Sequence, residues 1–204
     1  MPPGGIVLCG GLSTRMGRPK ADLPLAGRPF LLHVVDALGE VVGPGRVAVI
    51  AATEQAVPAL PVGVRAARDA AAGRGPLEGL AAGLAVLAGE VDVVFLAACD
   101  APLLRPAFAR RLLDLCAVGP EWCVVPAVGG YRHPTTAAYK LAVLPTLLEM
   151  LAAGRLKPGQ LFAAVPTRFV GADELRDVDP AFDSLRNVNT PADYAELLCD
   201  HGGA

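Results

Sequence analysis

Charge is scarce in this 204-residue chain: acidic and basic residues together make up 19% of it, and they nearly cancel at −2. No run of Lys or Arg, and no interleaving of aromatic with basic residues, is present to follow a polynucleotide backbone, so no nucleic-acid partner is expected. Long apolar runs are missing too. Gly, Pro or a charge interrupts each one before the roughly 18 residues that a membrane span needs. Met1 to Gly5 shows no basic start followed by an extended apolar stretch, so the reading is a cytoplasmic protein without a secretory signal. The five cysteines, Cys9, Cys99, Cys116, Cys123 and Cys199, are odd in number, scattered and without a CxxC pair, and they read as free thiols of a reducing compartment.

What the chain does have is apolar surface, at 53% hydrophobic residues. That excludes disorder, and the length suits one domain with a sheet covered on both faces. Short apolar runs at Gly5 to Cys9, Arg46 to Ala51, Asp92 to Ala97 and Trp122 to Pro126 read as buried strands. Helical patterns lie at Phe30 to Leu38, Leu77 to Leu87 and Ala107 to Leu115. Strands that are apolar throughout and alternate with helices predict a mostly parallel sheet in a three-layer αβα arrangement, Rossmann-like in kind. Further on, Tyr131 to Tyr139 reads as strand, Leu141 to Ala153 as a helix ended by Gly154, and Pro191 to Leu198 as a last helix capped by Asn189 or Thr190. The expectation is a single domain over 1–204, with residues 1–128 and 129–204 as its two halves.

In open parallel sheets ligands bind beyond the carboxyl ends of the strands. Two such places carry chemistry. After the first strand, Leu8 to Lys20 packs glycines, hydroxyls, two arginines and a lysine into one loop. Glycines let backbone N–H groups converge on an anion, and the cations offset the charge of a triphosphate. By composition alone a glycine-rich turn with surface cations would serve as well. The loop is neither a Walker A loop, which needs Gly-Lys-[Ser/Thr], nor a Gly-x-Gly-x-x-Gly fingerprint. After Asp92 to Ala97, Asp100 stands where the strand leaves the sheet. A carboxylate there can hold Mg²⁺ against a triphosphate, since Mg²⁺ takes only one or two protein carboxylates beside phosphate oxygens and water. A cap for the following helix is the alternative.

The order Gly10-Gly11-x-Ser13-x-Arg15-Met16-Gly17-x-x-Lys20, directly behind an apolar first strand, resembles the signature of the nucleotidyltransferase superfamily that activates sugars, alcohols and cofactors with NTPs. Leu8-Cys9-Gly10-Gly11 is closer to the molybdenum cofactor guanylyltransferase branch than to the cytidylyltransferase branch, where Ala-Ala-Gly is usual, while Arg18-Pro19-Lys20 is shared with the latter. The resemblance implies that the backbone of Leu8, Cys9, Gly10 and Gly11 contacts the nucleotide, that Arg15 faces the phosphates, and that Lys20 neutralises charge on the attacked phosphoryl group. It also implies that Asp100, in an Asp-x-Pro element, binds Mg²⁺.

Asp69 followed by Gly75-Pro76-Leu77-x-Gly79 resembles the guanine-reading element of the same branch, with Glu78 at a position where a small residue is common. Glycines at 75 and 79 carry no side chain to block a purine edge, and Glu78 also reads as a first-turn acid favoured by the helix dipole. Thr53 stands near where the family often has a base-contacting Asn. Arg132-His133-Pro134-Thr135 and Asn187-Val188-Asn189-Thr190-Pro191 resemble elements that line the acceptor side, which makes His133, Asn187 and Asn189 acceptor-binding candidates. His133 takes a binding or structural role, since a phosphate acceptor needs little proton removal. The implied reaction joins GTP and molybdopterin to form the guanine dinucleotide cofactor and pyrophosphate, with transient contacts to molybdoenzymes or other cofactor-assembly proteins. A CTP-using or sugar-phosphate relative, and a non-catalytic nucleotide-binding regulator, are the rival readings.

Overall fold

The computed structural model describes residues 1–10, 16, 19–53, 55–69 and 74–201. Its strands are β1 (Gly4–Cys9), β2 (Pro24–Leu25), β3 (Arg28–Pro29), β4 (Val47–Ala51), β5 (Arg65–Arg68), β6 (Val93–Ala98), β7 (Cys123–Val128), β8 (Tyr131–Arg132), β9 (Ala137–Lys140) and β10 (Thr167–Val170). The helices are α1 (Phe30–Val42), α2 (Pro76–Val86), α3 (Pro106–Val118), α4 (Leu144–Ala152), α5 (Pro158–Ala164) and α6 (Pro191–His201). One sheet runs in the order β10-β7-β9-β6-β1-β4-β5, with β8 attached to β7. β1 lies parallel between β4 and β6, and β9 is antiparallel to both β6 and β7. The mostly parallel three-layer reading therefore holds. Because β9 comes from the second half of the chain and sits between two strands of the first, both halves share one sheet.

The apolar strands bury both faces. Along β1, Val7 and Cys9 join the core under α1 and α3, while Ile6 joins the core under α2, α4 and α5. Two glycines let α2 lie directly on β1. A Cβ at Gly79 would come within 2.6 Å of the Leu8 side chain, and one at Gly83 within 2.6–2.8 Å of three Ile6 atoms. Gly39 of α1 faces open space instead. Gly83→Val is thus expected to destabilise by about 1–3 kcal/mol through overpacking, whereas Gly39→Ala should stabilise by about 0.5–1 kcal/mol. Urea unfolding of the two variants checks the contrast, and equal signs would refute it.

The structure adds elements that periodicity did not reveal. β5 is an edge strand, Arg-Ala-Ala-Arg, without the apolar run of its neighbours. The predicted strand over Tyr131 to Tyr139 is two strands. Gly129 and Gly130, both at positive φ (63° and 79°), close the β7–β8 hairpin, and the chain turns at Pro134 before re-entering as β9. The predicted helix from Leu141 begins as a 3-10 turn over Leu141–Val143 before α4. α5, β10 and the β2–β3 hairpin were not foreseen.

A third, small core joins distant segments: Leu23, Leu25 and Phe30 pack with Val188 and Leu197. The Tyr194 hydroxyl donates to the Pro24 carbonyl at 2.6 Å, and its ring meets Phe30 edge-on at 5.7 Å. This core fastens α6 to the segment that follows Lys20.

Candidate active site

β1 is the point where the chain changes direction in the sheet, since α1 leads from it to β4 on one side and α2 leads from β5 to β6 on the other. The carboxyl ends of β1, β4 and β6 consequently gather Gly10, Ala52 and Asp100. The Ala52 amide donates to Cys9 O at 3.4 Å and the Cys99 amide to Leu8 O at 2.9 Å, which holds the three exits together. Gly10 is exposed at this edge, and a Cβ on it would touch Ala52. Cys9 is fully buried in the core. Gly11 and Arg15 lie outside the described residues.

The centre of the site is a lysine between two oxygens. Lys20 stands on the 3-10 turn Lys20–Asp22, and its Nζ lies 2.8 Å from Asp100 Oδ2 and 2.6 Å from Asn189 Oδ1. The Lys20 and Asp100 side chains are only 18% and 15% exposed, which leaves their attraction weakly screened. Asp100 Oδ1 is buried and makes no hydrogen bond among the described residues. The Asp100 carbonyl accepts the Val188 amide at 2.8 Å, and this bond brings the 186–190 segment alongside.

Asn189 is free to face Lys20 because its neighbour caps the helix. Thr190 Oγ1 accepts the Asp193 amide at 3.2 Å, and Asp193 Oδ2 accepts the amides of Thr190 and Asn189 at 2.9 and 2.8 Å, a reciprocal capping box. Of the two caps considered from sequence, Thr190 is therefore the one used. The backbone hydrogen bond from Asn189, then Thr190, hold the Asp193 carboxyl below its ordinary value, with Lys20's charge adding to the effect.

The remaining predicted residues divide. Asp69 closes β5, its amide donating to Ala51 O at 3.0 Å; burial raises its pKa against the pull of Arg68, and its Oδ1 has no partner among the described residues. Gly75 is exposed at φ 81° as the residue before α2, with Pro76 at the first helical position. Leu77 is buried in the core, and the bare face of Gly79 meets Leu8 rather than the cleft. Packing accounts for both residue types, which corrects the expectation that glycine at 79 keeps a purine's approach clear. Anything these two offer a ligand comes from the backbone in the first turn of α2. Glu78 is buried against Arg74, its Oε2 at 3.6 Å from Arg74 Nε.

His133 helps hold the β7–β8 hairpin: its amide donates to Pro126 O at 3.0 Å and its Nε2 lies 3.4 Å from Val128 O. Burial lowers its pKa, so the imidazole is neutral near pH 7. Asn187 is half-buried and makes no side-chain hydrogen bond among the described residues; unlike Asn189, it is not brought to Lys20. Thr53 is exposed on a turn pinned by Arg68, whose Nη1 donates to the carbonyls of Ala52 and Gln55.

Two supports escaped the sequence reading. Gln55 donates from Nε2 to Cys9 Sγ at 3.3 Å, placing a side-chain amide at the carboxyl end of β1. Asp179 is fully buried and gathers the amides of Asp183 and Ser184 at 3.0 and 2.8 Å and Arg105 Nε at 3.2 Å. Arg105 also donates its amide to Ser184 Oγ at 3.0 Å. This knot ties the segment after Asp100 to the one before Asn189. Nothing in the local pattern around Asp179 marks it.

A family model for the MobA-like NTP transferase domain matches residues 5–165. The chain belongs to the MobA-like NTP transferases. Two curated relatives carry the name "Probable molybdenum cofactor guanylyltransferase": one from Mycobacterium bovis, 36% identical over 195 residues (94% of this chain, 91% of the relative), and one from Carboxydothermus hydrogenoformans, 33% identical over 193 residues (94% and 93%). The fold is similar to that of molybdopterin-guanine dinucleotide biosynthesis protein A from Archaeoglobus fulgidus, with a TM-score of 0.79 at 20% identity, covering 97% of this chain and 98% of that one. This MobA-like chain is thus a nucleotidyltransferase. No helix among its described residues is long and apolar enough to cross a membrane.

Proposed function

We propose that this nucleotidyltransferase transfers GMP from GTP to the phosphate of molybdopterin, giving the guanine dinucleotide form of the cofactor and pyrophosphate. The observation that carries the reading is the Lys20 ammonium held between Asp100 and Asn189 beside Gly10, at the change of direction in the sheet. The names of the curated relatives support the choice of substrates.

In the proposed step an oxygen of the acceptor phosphate bonds to the α-phosphorus of GTP, and the bond from that phosphorus to the bridging oxygen breaks. The electron pair leaves with pyrophosphate. Acceptor and leaving group are both phosphate oxygens, so no general base and no covalent enzyme intermediate are needed; positioning and charge neutralisation carry the transfer. Backbone amides from Leu8 to Gly11 would receive the nucleotide, and Arg15 and Lys20 would offset charge as it moves onto pyrophosphate. Asp69 and the turn at Gly75-Pro76 would face the nucleoside, with the first-turn amide of Leu77 behind it, while the amide of Gly79 is spent on the helix's own first hydrogen bond to Gly75. His133, Asn187 and Asn189 would line the acceptor side, the neutral His133 offering its Nδ1 lone pair while Nε2–H points to the Val128 carbonyl.

The site suits Mg²⁺ in its chemistry. Its donors are hard oxygens, one oxygen of Asp100 is buried without a partner, and the other already accepts a cation, the Lys20 ammonium. Asp100 would hold the ion, which would supply charge withdrawal from the α-phosphate.

The test offers the purified protein each of the four NTPs with Mg²⁺ and molybdopterin, and follows pyrophosphate release and nucleotide incorporation. GTP is expected to be used well above the other three. Preference for CTP would move the chain to the cytidylyl reaction, and tight GTP binding with no pyrophosphate from any NTP would leave a nucleotide-binding regulator.

A further inference from the structure

We infer that Lys20 is a resident cation that keeps the metal position closed until a nucleoside triphosphate is bound, so that the metal ion enters with the nucleotide or after it. The inference rests on the proposed role of Asp100 as the metal-holding residue. It goes further in assigning Lys20 a second task, separate from stabilising charge during transfer.

The geometry is that of one cation filling another's place. Lys20 Nζ takes Asp100 Oδ2 at 2.8 Å and Asn189 Oδ1 at 2.6 Å, side-chain oxygens that converge at this spot. A divalent ion approaching the same carboxylate would meet a positive charge within hydrogen-bonding distance of its own ligand, in a setting that screens little. A triphosphate changes the balance by offering the ammonium several anionic oxygens at once. The lysine can answer with its side chain alone. Ala21 and Leu23, just beyond it, are fully buried in two different cores and hold the backbone still, while four flexible carbons carry the ammonium. Once Nζ turns to phosphate, Asp100 presents two unpaired oxygens instead of one. Asn189 stays poised by the Asp193 capping box.

The experiment titrates Mn²⁺ into the full chain without nucleotide, following free metal by electron paramagnetic resonance. Wild type is expected to bind weakly. Lys20→Met, and Lys20→Gln as a second neutral variant, should bind at least about tenfold tighter, because a charged competitor has been removed. Adding Asp100→Asn to either variant should abolish the gained site. Neutral variants that bind nucleotide-free Mn²⁺ no tighter than wild type would overturn the inference while leaving the proposed reaction standing. If Asp100→Asn alone leaves metal binding in the presence of GTP unchanged, the metal assignment itself falls, and the inference with it.

Discussion

Asp100→Ala is expected to lower turnover about 10²–10³-fold, the size of losing one preorganised electrostatic group at a reacting centre. The carboxylate is 15% exposed, with one oxygen on Lys20 and the other without a hydrogen-bond partner among the described residues. Lys20→Ala should fall at least about a hundredfold for the same kind of reason. Because the two act on one charge constellation, the double variant should lose far less than the product of the two factors. Pyrophosphate release at saturating nucleotide measures all three. A Lys20→Ala rate equal to wild type would remove the lysine from the mechanism, and strictly multiplicative losses would show that the pair does not work as a unit.

The second large effect concerns stability. Asp179→Ala should destabilise the protein by about 3 kcal/mol, since it strands two backbone amides and takes the buried end of an ion pair from Arg105. Arg105 is 46% exposed and can turn to water, so the amides account for most of the loss. For a chain of this size that corresponds to a fall in melting midpoint of about 6–12 °C. Asp179→Asn keeps an acceptor and should fall less. A midpoint for Asp179→Ala within about 2 °C of wild type would mean that the loop holds its shape without this knot.

The fold was readable wherever an element is buried on both faces. β1, β4, β6 and β7 are continuous apolar runs because helices cover them on either side, α1 and α3 carry matching apolar stripes, and α2 is apolar nearly all round. Where that coverage ends the pattern fades. β5 alternates between half-buried and exposed at the sheet edge, and β9 enters from the second half of the chain to pair antiparallel on both sides. β5 has no local signature, and β9, though its residues fall in the stretch read as strand from Tyr131 to Tyr139, shows nothing of its pairing, since partners and edge positions are settled by distant chain. The Gly-Pro-Leu-x-Gly run shows the opposite hazard. Its order was plain, yet the structure gives Leu77 and Gly79 to packing, because the close approach of α2 to β1 was invisible from one segment alone.

Local order was enough to predict a mostly parallel αβα sheet and to mark two strand exits, one followed by a glycine-rich segment and a later one by a carboxylate. Those features follow from residue type and spacing within a single element and its exit, where propensity and burial act over a few residues. Their assembly into one site was another matter. Lys20 meets Asp100 across 80 positions and Asn189 across 169, and the contacts exist because the sheet order sets β1 beside β6 and the small core under Tyr194 draws α6 back to the segment after Lys20. Contacts over such separations depend on loop closure and on packing of whole elements, and no periodicity along the chain encodes them.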